Sequence, residues 1–156
     1  MQDRRKGEMC NMETVNIKIN GRDYEVAKGS TVLEAAKAAK IDIPTLCYLK
    51  GINEIGACRM CVVEVEGTNR LVPSCNTEVL DGMVVHTNTP RVREARRTTM
   101  HLLLSQHRSE CTACIRSGNC ELQTLCNEMG IDMDNRFEGA VPAGSKDYST
   151  LHLVRD

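Results

Sequence analysis

Aromatic bulk is nearly missing from this sequence: its 156 residues include no tryptophan, one phenylalanine and three tyrosines. A core built on stacked rings is excluded, so burial has to come from aliphatic side chains or from something bound. No apolar run approaches the roughly 20 residues of a membrane-spanning helix, and no membrane insertion is expected. A net charge of −1 gives no electrostatic reason to expect nucleic acid or an anionic membrane as partner. The start, Met1-Gln2-Asp3-Arg4-Arg5-Lys6, carries paired arginines, but Gly7-Glu8-Met9-Cys10-Asn11 follows where an export signal would be apolar. A cytoplasmic location is therefore the expectation.

Cysteine is what the chain has in plenty, with nine. In a reducing compartment, thiols in Cys-x-x-Cys spacing serve metals or redox chemistry more often than structural disulfides, and an odd total does not close a disulfide framework. Bound metal would also supply stability that a small core lacks.

Residues 1–12 are polar and unpatterned and read as a mobile tail. Val15, Ile17 and Ile19 then alternate with polar residues, the period of a half-buried strand. Asn20-Gly21 is a favoured hairpin turn, with Tyr24 and Val26 on the return strand. Thr31-x-x-Glu34 makes a capping box for a helix over 32–40. Val62, Val63 and Val65 form a further strand, Gly67-Thr68-Asn69 a turn, and Met83-Val84-Val85 a last strand. Two strands, a helix and more strands give an α+β chain whose first domain, 13–88, is a β-grasp. Thr89-Pro90 opens a helix to about Gln106 with Val92, Ala95, Thr99, Leu102 and Leu103 on one face. A second short helix is expected from an Asn119 cap through Leu122, Leu125 and Met129 to Gly130. Together these make a small helical domain over 89–130, followed by an irregular segment, 131–156.

The first cysteine group is Cys47, Cys58, Cys61 and Cys75, with three of them in or at the end of the loop between the first helix and the third strand. Four thiolates suit a two-iron cluster, in which each iron needs two protein sulfurs beyond its bridging sulfides. The Cys58/Cys61 pair is expected to ligate one iron, together with or across from the outlying pair. Gly56 and Ala57 let backbone N–H groups approach the sulfides. Structural zinc prefers two close pairs, and a thioredoxin motif needs a βαβ unit; neither pattern is present here.

The second group is His107, Cys111, Cys114 and Cys120, one ligand for each iron of a cubane. Cys126 is the rival fourth ligand. From a helix capped by Asn119, six residues carry it roughly 9 Å along and about 240° around from Cys120, which favours His107. A four-thiolate zinc site of Cys111, Cys114, Cys120 and Cys126 is the weaker alternative. Cys10 reads as unliganded. Arg91, Arg93, Arg96 and Arg97 read as a solvated helix face, with docking to an acidic partner as the alternative.

The stretches Ile43-Pro44-Thr45-Leu46-Cys47-Tyr48, Gly56 to Gly67 and Asp81 to Thr87 resemble the plant-ferredoxin-like [2Fe–2S] domain of [FeFe]-hydrogenases and of the large iron–sulfur subunit of respiratory complex I. The run from His107 to Gln123 is similar to their [4Fe–4S] domain with one His and three Cys ligands. The resemblance covers roughly residues 14–156. It implies one [2Fe–2S] cluster, one [4Fe–4S] cluster and electron transfer. In those relatives a segment like Leu153-Val154-Arg155-Asp156 leads into further cluster and catalytic domains. Neither these nor a flavin site or G-x-G-x-x-G fingerprint appears here, so a short stand-alone subunit without its own active site is expected. The resemblance implies flavin- and NAD(P)H-binding iron–sulfur partner subunits, as in bifurcating hydrogenases, transhydrogenases and formate dehydrogenases. A free two-cluster ferredoxin and a zinc-binding structural protein are the other two readings.

Overall fold

A computed structural model describes residues 13–107 and 109–133. The expected tail, 1–12, and most of the expected irregular segment, 131–156, lie outside the described residues. The chain divides into two compact units, Met1–Arg93 and Glu94–Asp156.

In the first unit, β1 (Thr14–Ile19) and β2 (Arg22–Ala27) form an antiparallel hairpin in which Ile17 faces Tyr24 and Ile19 faces Arg22. The turn is tight because Asn20 and Gly21 both adopt positive φ, 50° and 82°. α1 (Val32–Ala38) begins with the full capping box. Glu34 N–H donates to Thr31 Oγ1, and Thr31 N–H donates to a Glu34 carboxylate oxygen, each at 3.2 Å. The helix ends at Ala38, not Lys40, because Lys40 turns to φ 57°.

β3 (Val62–Val65), β4 (Val72–Pro73) and β5 (Val84–His86) complete a five-stranded sheet of order β2-β1-β5-β3-β4. β1 and β5 pair in parallel, with Ile19 beside Val85, and β5 then meets β3 antiparallel, with Val85 beside Val65. This is the β-grasp arrangement expected from the order of elements. α1 buries Val32, Leu33, Ala35 and Ala36 in one cluster with Ile17, Ile19, Val63 and Val85. Each buried Val, Leu or Ile of this cluster contributes about 1.5–3 kcal/mol.

α2 (Pro90–Gln106) starts where Val92 N–H donates to Thr89 Oγ1 at 3.2 Å. Its buried positions include Val92, Arg96, Met100 and Leu104, a four-residue stripe. Leu102, expected inside, is 56% exposed. Arg96 is buried, so the basic run is not a simple solvated face. Arg91 donates to the Asn69 carbonyl, and Arg97 to that of Met129.

In the second unit a 3₁₀ turn, Cys111–Ala113, precedes α3 (Glu121–Met129). Its N-cap is Cys120, not Asn119, and its C-cap is Gly130 at φ 60°.

Candidate metal centres

α1, β3 and the segment after β4 position the first group. Ser74 N–H donates to the Cys61 carbonyl at 3.1 Å, and the Ser74 and Thr77 carbonyls accept from Leu33 and Val32 at the start of α1. Cys61 and Cys75, fourteen residues apart in the chain, are thereby fixed side by side and buried. Cys47 and Cys58 are half-buried on the long loop. The loop is pinned from several directions. Asn53 Nδ2 donates to the Cys47 carbonyl at 2.7 Å. Lys50 pairs with Glu34 at 2.7 Å, and Lys37 sits 4.7 Å from the Tyr48 ring centroid.

Gly56 shows why the loop needs glycine. Its φ is 67°, and an added Cβ would meet Pro73 at 3.1 Å and Asn76 at 3.2 Å. That close approach seats the Cys58 arm of the loop against the arm that carries Cys75. Arg59, at φ 59°, reverses the chain so that Met60 N–H donates to Cys58 Sγ at 3.5 Å. Cys58 N–H in turn donates to Cys47 Sγ at 3.4 Å.

The four thiols feel one another. Burial pushes Cys75 up to about 12, with further increments from the Cys61 thiol it bonds and from Cys47 and Cys58. Burial and then the Cys58 thiol raise Cys47, against the opposing pull of the Cys58 N–H. Burial also opposes ionisation of Cys58, but the Met60 N–H, the Cys47 thiol and the Cys47 N–H outweigh it, and its pKa falls. Ionisation of Cys47 is thus tied to that of Cys58, and ionisation of Cys75 to that of Cys61. The structure divides the close Cys58/Cys61 pair between an outer and an inner couple.

The second group is looser. His107 follows α2, its N–H donating to the Leu104 carbonyl at 3.1 Å, and its side chain is half-buried. A series of tight turns coils the backbone from Glu110 to Asn119, with Cys114 N–H donating to Cys111 O and Ser117 N–H to Cys114 O. Cys111 and Cys120 are half-buried, and Cys114 is exposed. Cys126 is fully buried, and its pKa is raised by burial and then by Cys120 and Cys111. Cys111 and Cys120 thus act on Cys126 through charge alone, without a hydrogen bond to it. Because Cys120 lies outside the regular helix, the helical angle that set Cys126 apart from it loses much of its force. Among the described residues, no group of three His, Cys, Asp or Glu side chains is arranged to hold a single metal ion.

Three contributors went unnoticed in the sequence. Asn53 clamps Cys47, Ser74 ties the Cys75 segment to the Cys61 carbonyl, and Met133 Sδ lies 3.9 Å from Cys111 Sγ. Only Asn53 had a local signal, as a polar residue in a ligand-bearing loop.

The donor set of the first unit, four thiols with backbone N–H groups turned onto two of their sulfurs, fits a soft iron–sulfur group. Residues 12–90 match the 2Fe-2S iron-sulfur cluster binding domain. The chain belongs to that family. Residues 96–134 match the NADH-ubiquinone oxidoreductase-G iron-sulfur binding region, so the chain carries one [2Fe–2S]-binding and one [4Fe–4S]-binding region. It is 49% identical over 150 residues to NADP-reducing hydrogenase subunit HndD of Solidesulfovibrio fructosivorans, a match over 93% of this chain and 26% of that protein. It is 43% identical over 116 residues to the alpha subunit of the NADPH-Fe(3+) oxidoreductase of Geobacter sulfurreducens, covering 74% of this chain and 14% of the relative. The chain thus spans about a quarter or less of the length of these curated relatives. A crystal structure of an NAD+-reducing [NiFe]-hydrogenase in the H2-reduced state superposes with a TM-score of 0.73 at 30% identity, covering 85% of this chain and 54% of the other. No helix among the described residues is long and apolar enough to cross a membrane.

Proposed function

We propose that the chain is a cytoplasmic electron-relay subunit of a flavin-containing, NAD(P)H-linked oxidoreductase. Cys47, Cys58, Cys61 and Cys75 hold its [2Fe–2S] cluster; His107, Cys111, Cys114 and Cys120 hold its [4Fe–4S] cluster. Flavin- and NAD(P)H-binding iron–sulfur subunits are its partners in this reading; the relatives' names support subunits of NADP(H)-linked complexes. The observation that carries the reading is the ligand loop folded onto the Cys75 segment, with Cys58 and Met60 N–H groups turned onto cysteine sulfurs and Ser74 N–H bonded to the Cys61 carbonyl.

Such clusters take and give electrons one at a time, which links a hydride-accepting flavin to single-electron carriers. The half-buried Cys47 and Cys58 would hold one iron and the buried Cys61 and Cys75 the other. Cys47 and Cys58, the more exposed couple, would lie on the side from which a partner could exchange electrons with the bound cluster. The Cys58 and Met60 N–H groups place positive dipoles on the ligand sulfurs and favour the more negative, reduced state. At the second site His107 supplies a neutral imidazole in place of a fourth thiolate, which raises the potential relative to an all-thiolate set.

Anaerobic purification from the native host tests the reading. About six irons per chain, acid-labile sulfide and co-purifying flavoprotein subunits are expected. A monomer that reduces many acceptors would make it a free ferredoxin, and zinc without iron would overturn the iron–sulfur assignment.

A further inference from the structure

The loop from Cys47 to Cys58 commits its backbone inward and leaves its aliphatic side chains outside. Leu49 and Asn53 exchange backbone hydrogen bonds of 3.0 and 2.8 Å, and Ile52 N–H donates to the Leu49 carbonyl. The Ile55 carbonyl accepts from Asn76 Nδ2 at 3.3 Å, and Gly56 is seated against Pro73. Leu49, Ile52 and Ile55 nevertheless remain 56%, 80% and 71% exposed. Scattered exposed aliphatics are ordinary, but a run of them on one ordered loop marks a contact surface. Cys58 N–H reaches Cys47 Sγ at 3.4 Å and closes the loop, so all three lie within a few residues' reach of the outer couple.

Arg59 adds charge to this surface. It is exposed, directly follows Cys58 and adopts φ 59°. Glycine would hold that left-handed turn without strain, so an arginine there is costly unless its side chain is used. The loop's one acid, Glu54, accepts from Gly51 N–H at 2.9 Å, and its one lysine, Lys50, pairs with Glu34 at 2.7 Å. Among the described residues no ion pair engages the Arg59 guanidinium. We propose that Leu49, Ile52, Ile55 and Arg59 form the docking surface for the redox partner subunit, which meets them with an apolar face carrying a carboxylate for Arg59. The inference rests on the relay-subunit reading above and names the chemistry of that partner's surface. Side chains on a loop already ordered lose little freedom on binding, and a guanidinium beside them can grip a carboxylate through two hydrogen bonds. A second copy of this chain fits less well. A two-fold contact sets Arg59 against the same patch, whose only acid is already engaged.

The test uses the complex purified anaerobically from the native host through a tag on this chain. Ile52→Asp combined with Ile55→Asp should lower the co-purified subunits per chain by about tenfold or more, with the [2Fe–2S] EPR signal unchanged. Arg59→Glu should act in the same direction. Leu80→Asp, at a residue 64% exposed elsewhere in the unit, should change nothing. In the purified Arg59→Lys complex, a carbodiimide should join the new amine to an Asp or Glu of the partner by an amide bond, located by peptide mapping. Full co-purification of the charged variants, or a cross-link only within this chain, overturns the inference. So does a cluster-loaded chain that is a dimer by light scattering and a monomer with Ile52→Asp, since the patch would then cover a second copy. A wild-type chain that brings down no other subunit overturns the relay reading itself, and this inference with it.

Discussion

Cys58 donates its backbone N–H to the Sγ of Cys47 across 3.4 Å, and the ionisation of each thiol in the outer couple depends on the other. Cys58 ionises more easily than an ordinary cysteine and Cys47 less easily, while Cys75 is pushed up to about 12. In cluster-free protein near neutral pH, iodoacetamide should therefore alkylate Cys58 well before Cys75, because the thiolate is the nucleophile and Cys58 is also the more accessible. Peptide mapping against time reads the order. Equal labelling of the two would mean that the loop is not held as described.

Gly56 and Gly51 separate backbone strain from steric need. Both have positive φ, 67° and 76°, yet only Gly56 has neighbours within reach of an added Cβ. Each alanine substitution incurs about 1–2 kcal/mol of left-handed strain. Gly56→Ala must also push Pro73 away, and Pro73 leads into Cys75. Gly56→Ala should lower [2Fe–2S] occupancy and thermal stability together, while Gly51→Ala keeps its cluster. Iron content and the EPR signal of the purified variants check this.

Local chemistry made much of the fold legible in advance. Thr31 with Glu34, Asn20 with Gly21, and Thr89 with Pro90 each act within four residues, and each forms in the structure. What could not be read depends on distant partners. β4 is two residues long and ends in proline, so no periodicity marks it. The Ser74–Cys61 backbone bond joins two ligand-bearing segments distant in the chain, which no spacing encodes. Arg96 looked solvated because its neighbours are charged, yet it falls on the buried stripe with Val92, Met100 and Leu104. Cys120 caps α3 without a side-chain bond, so the more familiar capping residue beside it, Asn119, was the wrong choice.

Glu34 links the helix to the ligand loop, closing the capping box and pairing with Lys50. The Lys50 ammonium and then the Thr31 N–H hold its carboxyl below the usual carboxylate range. A lowered folded-state pKa means that this stabilisation is complete above the ordinary carboxylate pKa and is lost as pH falls through the lowered one. Glu34→Ala should cost about 0.3–1 kcal/mol at neutral pH, the worth of a carboxylate in a helix's first turn. The difference from wild type should narrow in the acid range, where both lack the carboxylate charge. Calorimetric Tm values across pH test the sign; a difference that widens on acidification would contradict it.

The fourth ligand of the second site has two candidates, His107 and the buried Cys126, whose thiol is held protonated by burial and then by Cys120 and Cys111. Under the proposed assignment, His107→Ala should alter or abolish the [4Fe–4S] EPR signal and leave the [2Fe–2S] signal intact. Cys126→Ala should keep both signals. It should still lose about 1 kcal/mol of stability, since it deletes a buried sulfur beside Leu125 and Ile131. The two variants thus separate ligation from packing: one changes the spectrum and the other only the melting curve. The opposite pattern, with the signal lost in Cys126→Ala and kept in His107→Ala, would transfer the fourth iron to a thiolate. The site would then be all-cysteine, one negative charge richer, with a lower expected potential.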